Sequence, residues 1–145
     1  MEIVELSPGD ERLEAVYPVM RELRTELSEE QFHERYEAGH PLGYRLAAVF
    51  DEGECRAAAG YRLFTNFVSG KHIYVDDLVT AEQWRSHGYG RRLNDHLVEL
   101  ARSEGCTTVQ LDSSTWRTKA HRFYFRERYS IVSFHFARLL GGEHR

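Results

Sequence analysis

A short glycine-containing stretch, from Arg85 to Arg92, has the composition of a phosphate-binding loop. It lies between a β-branched run that ends at Thr80 and a helical pattern that is clear from Leu93. Glycine lets a backbone approach a bulky anion, and the free N–H groups of a first helical turn point at that anion with the positive end of the helix dipole behind them. The stretch therefore predicts a site for the phosphate groups of a ligand.

Two arginines, Arg91 and Arg92, stand where this helix begins. Cations normally stabilise the last turn of a helix, so each arginine in the first turn costs roughly a few tenths of a kcal/mol unless an anion is bound there. A solvated basic face is the alternative. The position beside two glycines favours phosphate contact by at least one of them.

The composition limits the class of protein. The chain has 145 residues, of which 41% are hydrophobic, and shows no repeat or linker, so we expect a single domain over residues 1–145. The formal net charge of −4 argues against general nucleic-acid binding and gives no support to an anionic membrane surface as partner.

The two cysteines, Cys55 and Cys106, are far apart and form no C-x-x-C spacing. The sequence therefore predicts neither a disulfide framework nor a zinc site, and we expect no metal. No basic stretch followed by an apolar one occurs at the N-terminus, and no run approaches the length of a membrane span. We expect a cytoplasmic protein.

The elements before the loop follow from periodicity and turn residues. Ser28 with Gln31 forms a capping box for a helix that should end before Gly39. The predicted elements are a strand over 2–6, a helix over 11–23, the helix that follows Ser28 and ends before Gly39, an antiparallel hairpin of strands 44–50 and 55–64, and a strand over 71–80.

The elements after the loop predict a crossover. Apolar residues recur at helical spacing from Leu93 to Ala101, and a short strand over 107–112 follows. A strand, a loop with its helix and a second strand form a right-handed parallel crossover, which places the loop at the carboxyl edge of the sheet, where ligands bind.

The last quarter of the chain predicts one more helix and a closing strand. The helix has an inward stripe of Trp116, Ala120, Phe123 and Tyr124. Residues 129–139 are expected to close the sheet as one strand, or as two strands broken near Ser130.

These motifs resemble those of the GNAT superfamily of acetyl-CoA-dependent N-acetyltransferases over nearly the whole chain. Arg85-x-x-Gly88-x-Gly90 is similar to the Gln/Arg-x-x-Gly-x-Gly/Ala pyrophosphate loop of that superfamily, and Asp76 to Thr80 resembles its Glu-Asp-Leu-Val-Val strand. The segment from Ala120 to Tyr124 resembles its Ala-x-x-Phe-Tyr helix. Arg117 and Arg128 depart from the pattern, since many members have asparagine at the first position and most have glycine at the second.

The resemblance implies the fold class and the cofactor. The fold is an α+β arrangement, a mixed α/β sheet in the order β-α-α-β-β-β-α-β-α-β, splayed between strands 4 and 5, with helices on both faces and acetyl-CoA in the gap. Backbone groups of Leu78 and Thr80 would pair with the pantetheine arm as an added strand does, and amides from Ser86 to Arg91 would bind the pyrophosphate. The implied cofactor-binding residues are Leu78, Val79, Thr80, Arg85, Ser86, His87, Gly88, Tyr89, Gly90, Arg91 and Arg117. A dinucleotide fingerprint fits less well, because its third glycine is Leu93 here.

The resemblance also implies two proton carriers, Asp76 as general base and Tyr124 as general acid. An aspartate with an ordinary pKa of about 3.9 must be raised by burial or by a neighbour, or must act through water, to serve as a base at neutral pH. Strand alternation places Asp76 on the face of Leu78 and Thr80, and Asp77 on the other face unless a β-bulge re-aims it. Tyr124 could instead be a core residue on its apolar stripe.

The implied reaction transfers the acetyl group of acetyl-CoA to a primary amine by direct attack in a ternary complex. A catalytically inactive acyl-CoA-binding sensor or regulatory module is the alternative. The acceptor is a small-molecule or peptide amine. Acidic residues near the second predicted helix would suit a small cationic amine, although such a run is usually a solvated face; they are Glu26, Glu29, Glu30, Glu34 and Glu37. A homodimer through Val132, Phe134 and Phe136 is possible in such a family, and core packing explains these residues equally well.

Overall fold

The computed structural model describes residues 1–141, which fall into two compact units, Met1–Leu111 and the segment that begins at Asp112. The first unit contains β1 (Glu2–Leu6), α1 (Leu13–Leu23), α2 (Glu29–Gly39), β2 (Tyr44–Asp51), β3 (Glu54–Asn66), β4 (Gly70–Thr80), α3 (Tyr89–Ser103) and β5 (Val109–Leu111). The second unit contains α4 (Thr118–Arg126).

The strands form one mixed sheet in the order β1-β2-β3-β4-β5. The first four strands are antiparallel, whereas β5 is parallel to β4. The β4–β5 pairing is confined to Ile73–Val75 with Val109–Leu111, and β4 then continues to Thr80 with no strand on that edge in the described part of the chain. The pairing of β4 with β5 therefore ends at Val75, which agrees with the predicted separation of strands 4 and 5.

Helices cover both faces of this sheet, as the sequence predicts. On one face α1 and α2 pack on the sheet through apolar residues such as Val16, Met20 and Phe32. On the other face Leu93 and Leu97 of α3, both fully buried, pack on alanines and β-branched residues of the central strands. Alternation of side chains along the strands supplies both apolar layers.

Local signals set the helix starts. The α2 helix begins at the predicted capping box, in which the Ser28 hydroxyl accepts the Gln31 N–H at 3.1 Å and the Gln31 side chain accepts the Ser28 N–H at 3.1 Å. The α3 helix begins at Tyr89, one turn before the residue from which its apolar spacing is evident. Arg91 and Arg92 accordingly lie in its first turn.

The second unit departs from the prediction in two respects. Trp116 lies before α4 and is exposed, so it is not part of an inward stripe. Residues 130–139 form no strand, and Val132, Phe134 and Phe136 are exposed. The alternation of apolar and polar residues is typical of a strand. A strand also requires a hydrogen-bonded neighbour, which alternation does not specify.

The helix end of the second unit explains one departure from the family pattern. Arg128 has a left-handed backbone, with φ of 71°, although it is not glycine. The Arg128 N–H donates to the Phe125 carbonyl at 3.1 Å, and the Tyr129 N–H donates to the Tyr124 carbonyl at 2.9 Å. These two bonds form a Schellman motif, whose left-handed position glycine usually occupies.

Within residues 1–141, no helix has the length and apolar composition needed to cross a bilayer.

Candidate functional site

The glycine loop leads directly into an uncapped helix. Gly88 is the N-cap of α3, with a left-handed φ of 85°, and no side chain caps the first turn. Ser86 is also left-handed, with φ of 66°. The N–H groups of a first turn have no partner inside the helix, so the start of α3 can donate hydrogen bonds to an anion.

The side chains around the loop are polar and largely exposed. Arg85, Arg91 and Arg92 are all exposed, and no acidic side chain lies in the first turn of α3. Nδ1 of His87 lies 2.8 Å from the Arg85 carbonyl oxygen, and the His87 ring stacks on the ring of Tyr89. The structure thus brings together the predicted residues from Arg85 to Arg91 around one helix start that carries positive charge and first-turn N–H groups without a partner inside the helix.

A β-bulge interrupts β4 at Asp76. Gly60 of β3 pairs with Asp77, whereas its neighbour Tyr61 pairs with Val75, so Asp76 is the extra residue. The bulge follows Val75 directly, where the pairing of β4 with β5 ends. The bulge and the separation of the strands therefore coincide.

The bulge turns both carboxylates toward the sheet face that carries α1 and α2. Asp76 binds Arg62 and Asp77 binds Tyr44, and Arg62 and Tyr44 are direct cross-strand partners on one face. The expectation that Asp77 points away from Asp76 is wrong in this structure. The reason is the β-bulge at Asp76, which the sequence-based expectation allowed as an exception. Leu78 instead contacts the core beneath α3, so Asp76 does not share its face.

Each carboxylate is paired with an arginine. Both oxygens of Asp76 accept from the Arg62 guanidinium at 2.8 Å, and this bonding raises the pKa of Arg62. One oxygen of Asp77 accepts from Arg24 Nε at 2.8 Å, and the other accepts from the hydroxyl of Tyr44. Arg24 also donates to the backbone carbonyl of Asp76 at 2.7 Å. Two positive and two negative groups therefore form a balanced cluster.

Tyr44 is held in this cluster by a close approach to Gly60. Burial, and then the charge of Asp77, raise the pKa of Tyr44, so its hydroxyl stays protonated and donates. A Cβ atom at Gly60 would lie 1.8 Å from the Tyr44 hydroxyl and 2.6 Å from Asp77 Oδ2. Only glycine leaves room for this contact.

The end of β4 presents an open backbone edge. Val79 is buried against α1, and Thr80 pairs with Ala57 of β3. From Asp76 to Thr80 the opposite edge has no strand partner within residues 1–141. Leu78, Val79 and Thr80 thus lie on a strand that can accept an added strand, as β-augmentation requires.

The second unit contains the remaining predicted residues. Arg117 precedes α4, and its N–H donates to the Ser114 carbonyl at 3.0 Å. Nε2 of His121 lies 2.9 Å from the same carbonyl oxygen. Tyr124 lies on α4, and its ring is 5.8 Å from that of Tyr129, measured between centroids.

Sequence reasoning missed the partners of the two aspartates, namely Arg24, Tyr44, Gly60 and Arg62. Arg24 lies 53 residues from Asp77 along the chain, and only the register of the strands and the end of α1 bring them together. The adjacent acidic pair within a predicted strand was the available signal, since carboxylates that become buried on a sheet face require cationic partners.

Comparison with known proteins places the chain in a family. Residues 11–128 match the model of the acetyltransferase (GNAT) family. An uncharacterized N-acetyltransferase of Bacillus subtilis, YhdJ, is 40% identical over 109 residues, which cover 74% of this chain and 77% of that protein. The thialysine N-epsilon-acetyltransferase of Mus musculus is 28% identical over 88 residues, covering 59% of this chain and 52% of the mouse protein.

Solved structures show the same fold at low identity. The aminoglycoside N-acetyltransferase AAC(6')-Iy, solved in complex with CoA, superposes with a TM-score of 0.84 at 12% identity, covering 97% of this chain and 95% of that one. Glucosamine-6-phosphate N-acetyltransferase from Arabidopsis thaliana gives 0.75 at 22% identity, covering 95% and 97%.

Taken with these matches, the mixed sheet and the glycine loop at the start of α3 identify an acyltransferase of the α/β class. The chain belongs to the acetyltransferase (GNAT) family.

Proposed function

We propose that the protein transfers the acetyl group of acetyl-CoA to a primary amine by direct attack in a ternary complex. The observation that carries this proposal is the uncapped start of α3 at Gly88, which follows the open edge of β4. The start of α3 fits the pyrophosphate of CoA, and the edge of β4 fits its pantetheine arm, which carries amides. The solved relative AAC(6')-Iy was crystallised with CoA, which supports the same assignment.

The loop residues fit the groups that CoA carries. Amides from Ser86 to Arg91 would bind the pyrophosphate, and the exposed guanidinium groups of Arg85 and Arg91 would balance its charge. Backbone groups of Leu78 and Thr80 would pair with the pantetheine amides along the open edge of β4. Arg117 remains a proposed contact on the strength of the family motif alone.

Asp76 is the proposed general base, acting through a water molecule. Each of its oxygens already accepts one hydrogen bond from Arg62, and a carboxylate oxygen can accept a second. Its side chain is 29% exposed, so a water can reach it. Tyr124 is the proposed acid that protonates the leaving thiolate, by its place in the Ala-x-x-Phe-Tyr motif.

The acceptor is proposed to be a small molecule with a primary amine on a flexible chain. The mouse relative is named for thialysine, and the AAC(6')-Iy structure is of an enzyme named for aminoglycosides. The acidic residues on α2, such as Glu34 and Glu37, are exposed, which fits a solvated face rather than a polyamine site.

The first experiment measures thiol release from acetyl-CoA with a panel of amines: thialysine, lysine, a polyamine, an aminoglycoside and a peptide with a free N-terminus. Release that depends on both the amine and the protein supports the enzyme. Saturable acetyl-CoA binding without release for any amine would instead support an acyl-CoA-binding module, which the pairing of Asp76 with Arg62 would suit.

The second experiment compares pH–rate profiles of Asp76→Asn and Asp77→Asn, with Glu99→Gln on the exposed face of α3 as control. If Asp76 accepts the proton, its variant loses about 10²-fold or more in kcat/KM at neutral pH and recovers as pH rises toward the amine pKa of about 10.4. A role in attracting the amine would appear in KM and weaken with salt. Equal, pH-independent losses in both aspartate variants would refute the assignment.

A further inference from the structure

A buried arginine lies beside the glycine loop and has no part in the function proposed so far. Arg56, near the start of β3, is 3% exposed. Burial of an arginine is unfavourable unless other groups compensate for the lost hydration. Within residues 1–141 its Nε has no hydrogen-bond partner, so conventional hydrogen bonding does not fully supply this compensation.

Aromatic rings compensate instead for the hydration that Arg56 loses on burial. The guanidinium carbon of Arg56 lies 3.4 Å from the centroid of the Trp84 ring and 5.5 Å from that of the Tyr89 ring. Contacts of this kind are strongest for desolvated cations. Trp84 comes immediately before Arg85, and Tyr89 is the first residue of α3. Arg56 thus contacts the residue just before the loop and a residue within it.

Three further contacts connect the loop and the end of β4 to the β2–β3 hairpin. The Tyr89 hydroxyl donates to Asp51 Oδ2 at 2.7 Å, a bond that raises the pKa of Tyr89 and lowers the pKa of Asp51. Arg56 Nη1 lies 3.4 Å from the same hydroxyl. At the end of β4, the Ala81 N–H donates to the Arg56 carbonyl at 2.9 Å.

The nearby carboxylates do not explain why Arg56 is buried. Glu54 and Glu52 approach Arg56 Nη2 at 3.4 and 3.8 Å, and their side chains are 58% and 85% exposed. Because both carboxylates keep most of their hydration, solvent screens their attraction to Arg56. The stacked aromatic contacts are therefore the main interaction that orients the guanidinium.

We propose that Arg56 is a positioning residue for the cofactor loop: it holds Trp84 and Tyr89 at the separation that aims the N–H groups of the loop at a pyrophosphate. This inference rests on the proposed function, in which the loop binds CoA. Since pantetheine lacks the pyrophosphate, Arg56 then determines how strongly the protein prefers CoA to pantetheine.

The test measures the Kd of CoA and of pantetheine for the wild type, Arg56→Met and Arg56→Lys. Loss of the stacked guanidinium is expected to weaken CoA binding by about tenfold or more and to leave pantetheine binding unchanged. Arg56→Lys keeps the positive charge but not the planar stacking, so its Kd for CoA should lie between that of the wild type and that of Arg56→Met. The KM of the amine acceptor should not change.

A buried core variant on α1, Val16→Ala, controls for a general loss of stability. It should keep the wild-type preference for CoA. Equal weakening of CoA and pantetheine by Arg56→Met, or Arg56→Lys binding CoA as the wild type does, would overturn the role of Arg56. A wild type that shows no preference for CoA over pantetheine would overturn the proposed function, and the role of Arg56 with it.

Discussion

The close approach of β3 to Tyr44 gives a sharp prediction for Gly60→Ala. The new Cβ would lie 1.8 Å from the Tyr44 hydroxyl oxygen, whereas such contacts stay above 3.0 Å. The hydroxyl must therefore move by about 1.2 Å, and this movement breaks its hydrogen bond to Asp77.

The expected loss of stability has two parts. Crowding in a packed region costs about 1 to 3 kcal/mol. Loss of a hydrogen bond to a charged, mostly buried carboxylate costs about 1.5 to 3 kcal/mol more. We expect the free energy of unfolding of Gly60→Ala to fall by about 2.5 to 6 kcal/mol, a large part of the total stability of a domain.

The assay is urea unfolding followed by fluorescence, in a double-mutant cycle with Tyr44→Phe. Removal of the hydroxyl eliminates the shortest contact and leaves the ring carbon Cζ at 2.6 Å, so part of the penalty of Gly60→Ala should disappear in the Tyr44→Phe background. A penalty of the same size in both backgrounds, or a Gly60→Ala variant as stable as the parent, would refute the close-approach argument.

Three further predictions concern the loop and the second unit. A hundredfold excess of acetyl-CoA over its Kd should stabilise the parent by about 2.7 kcal/mol in thermal melts. Gly88→Asp should abolish that shift, whereas Gly53→Asp, which has the same left-handed strain and the same open space, should retain it; shifts retained by both would exclude the loop as the cofactor site. Tyr124→Phe should lower kcat by about 10²-fold or more at unchanged Kd for CoA, with Tyr129→Phe as comparison, and unchanged turnover would make Tyr124 a packing residue. Arg128→Gly should raise the free energy of unfolding by about 0.5 to 1 kcal/mol, because glycine adopts the left-handed backbone without strain. Arg126→Gly inside α4 should lower the free energy of unfolding. If Arg128→Gly is less stable than the parent, the backbone of Arg128 is not strained.

The first unit could be predicted well because its signals are local. The capping box at Ser28 fixes where α2 begins, and apolar spacing fixes the face of α3 that packs on the sheet. Residues 130–139 show the limit of such signals. Their alternation indicates an extended chain, but no local feature provides the neighbouring strand that pairing requires. A single domain over residues 1–145, a homodimer and a cytoplasmic location remain predictions.

The candidate site could be predicted only in part, because its geometry depends on register. The glycines and arginines of the loop are adjacent in sequence, so the sequence alone predicts that they act together. The bulge at Asp76 depends instead on how β3 pairs with β4, and β-bulges leave no fixed sequence signature. One extra residue reverses the alternation beyond it, and Asp77 therefore faces the same side as Asp76.

The bulge also changes what the acidic pair can do. Two aspartates alone would attract a cationic amine by charge, but Arg24 and Arg62 balance them. The paired arginines keep both carboxylates fixed and leave only single lone pairs for further hydrogen bonds. If the protein acetylates an amine as we propose, we expect recognition of that amine to rest on directed hydrogen bonding near Asp76, where the pairing of β4 with β5 ends. Because such bonding is short-ranged, it selects an amine that reaches this point over one that is merely highly charged.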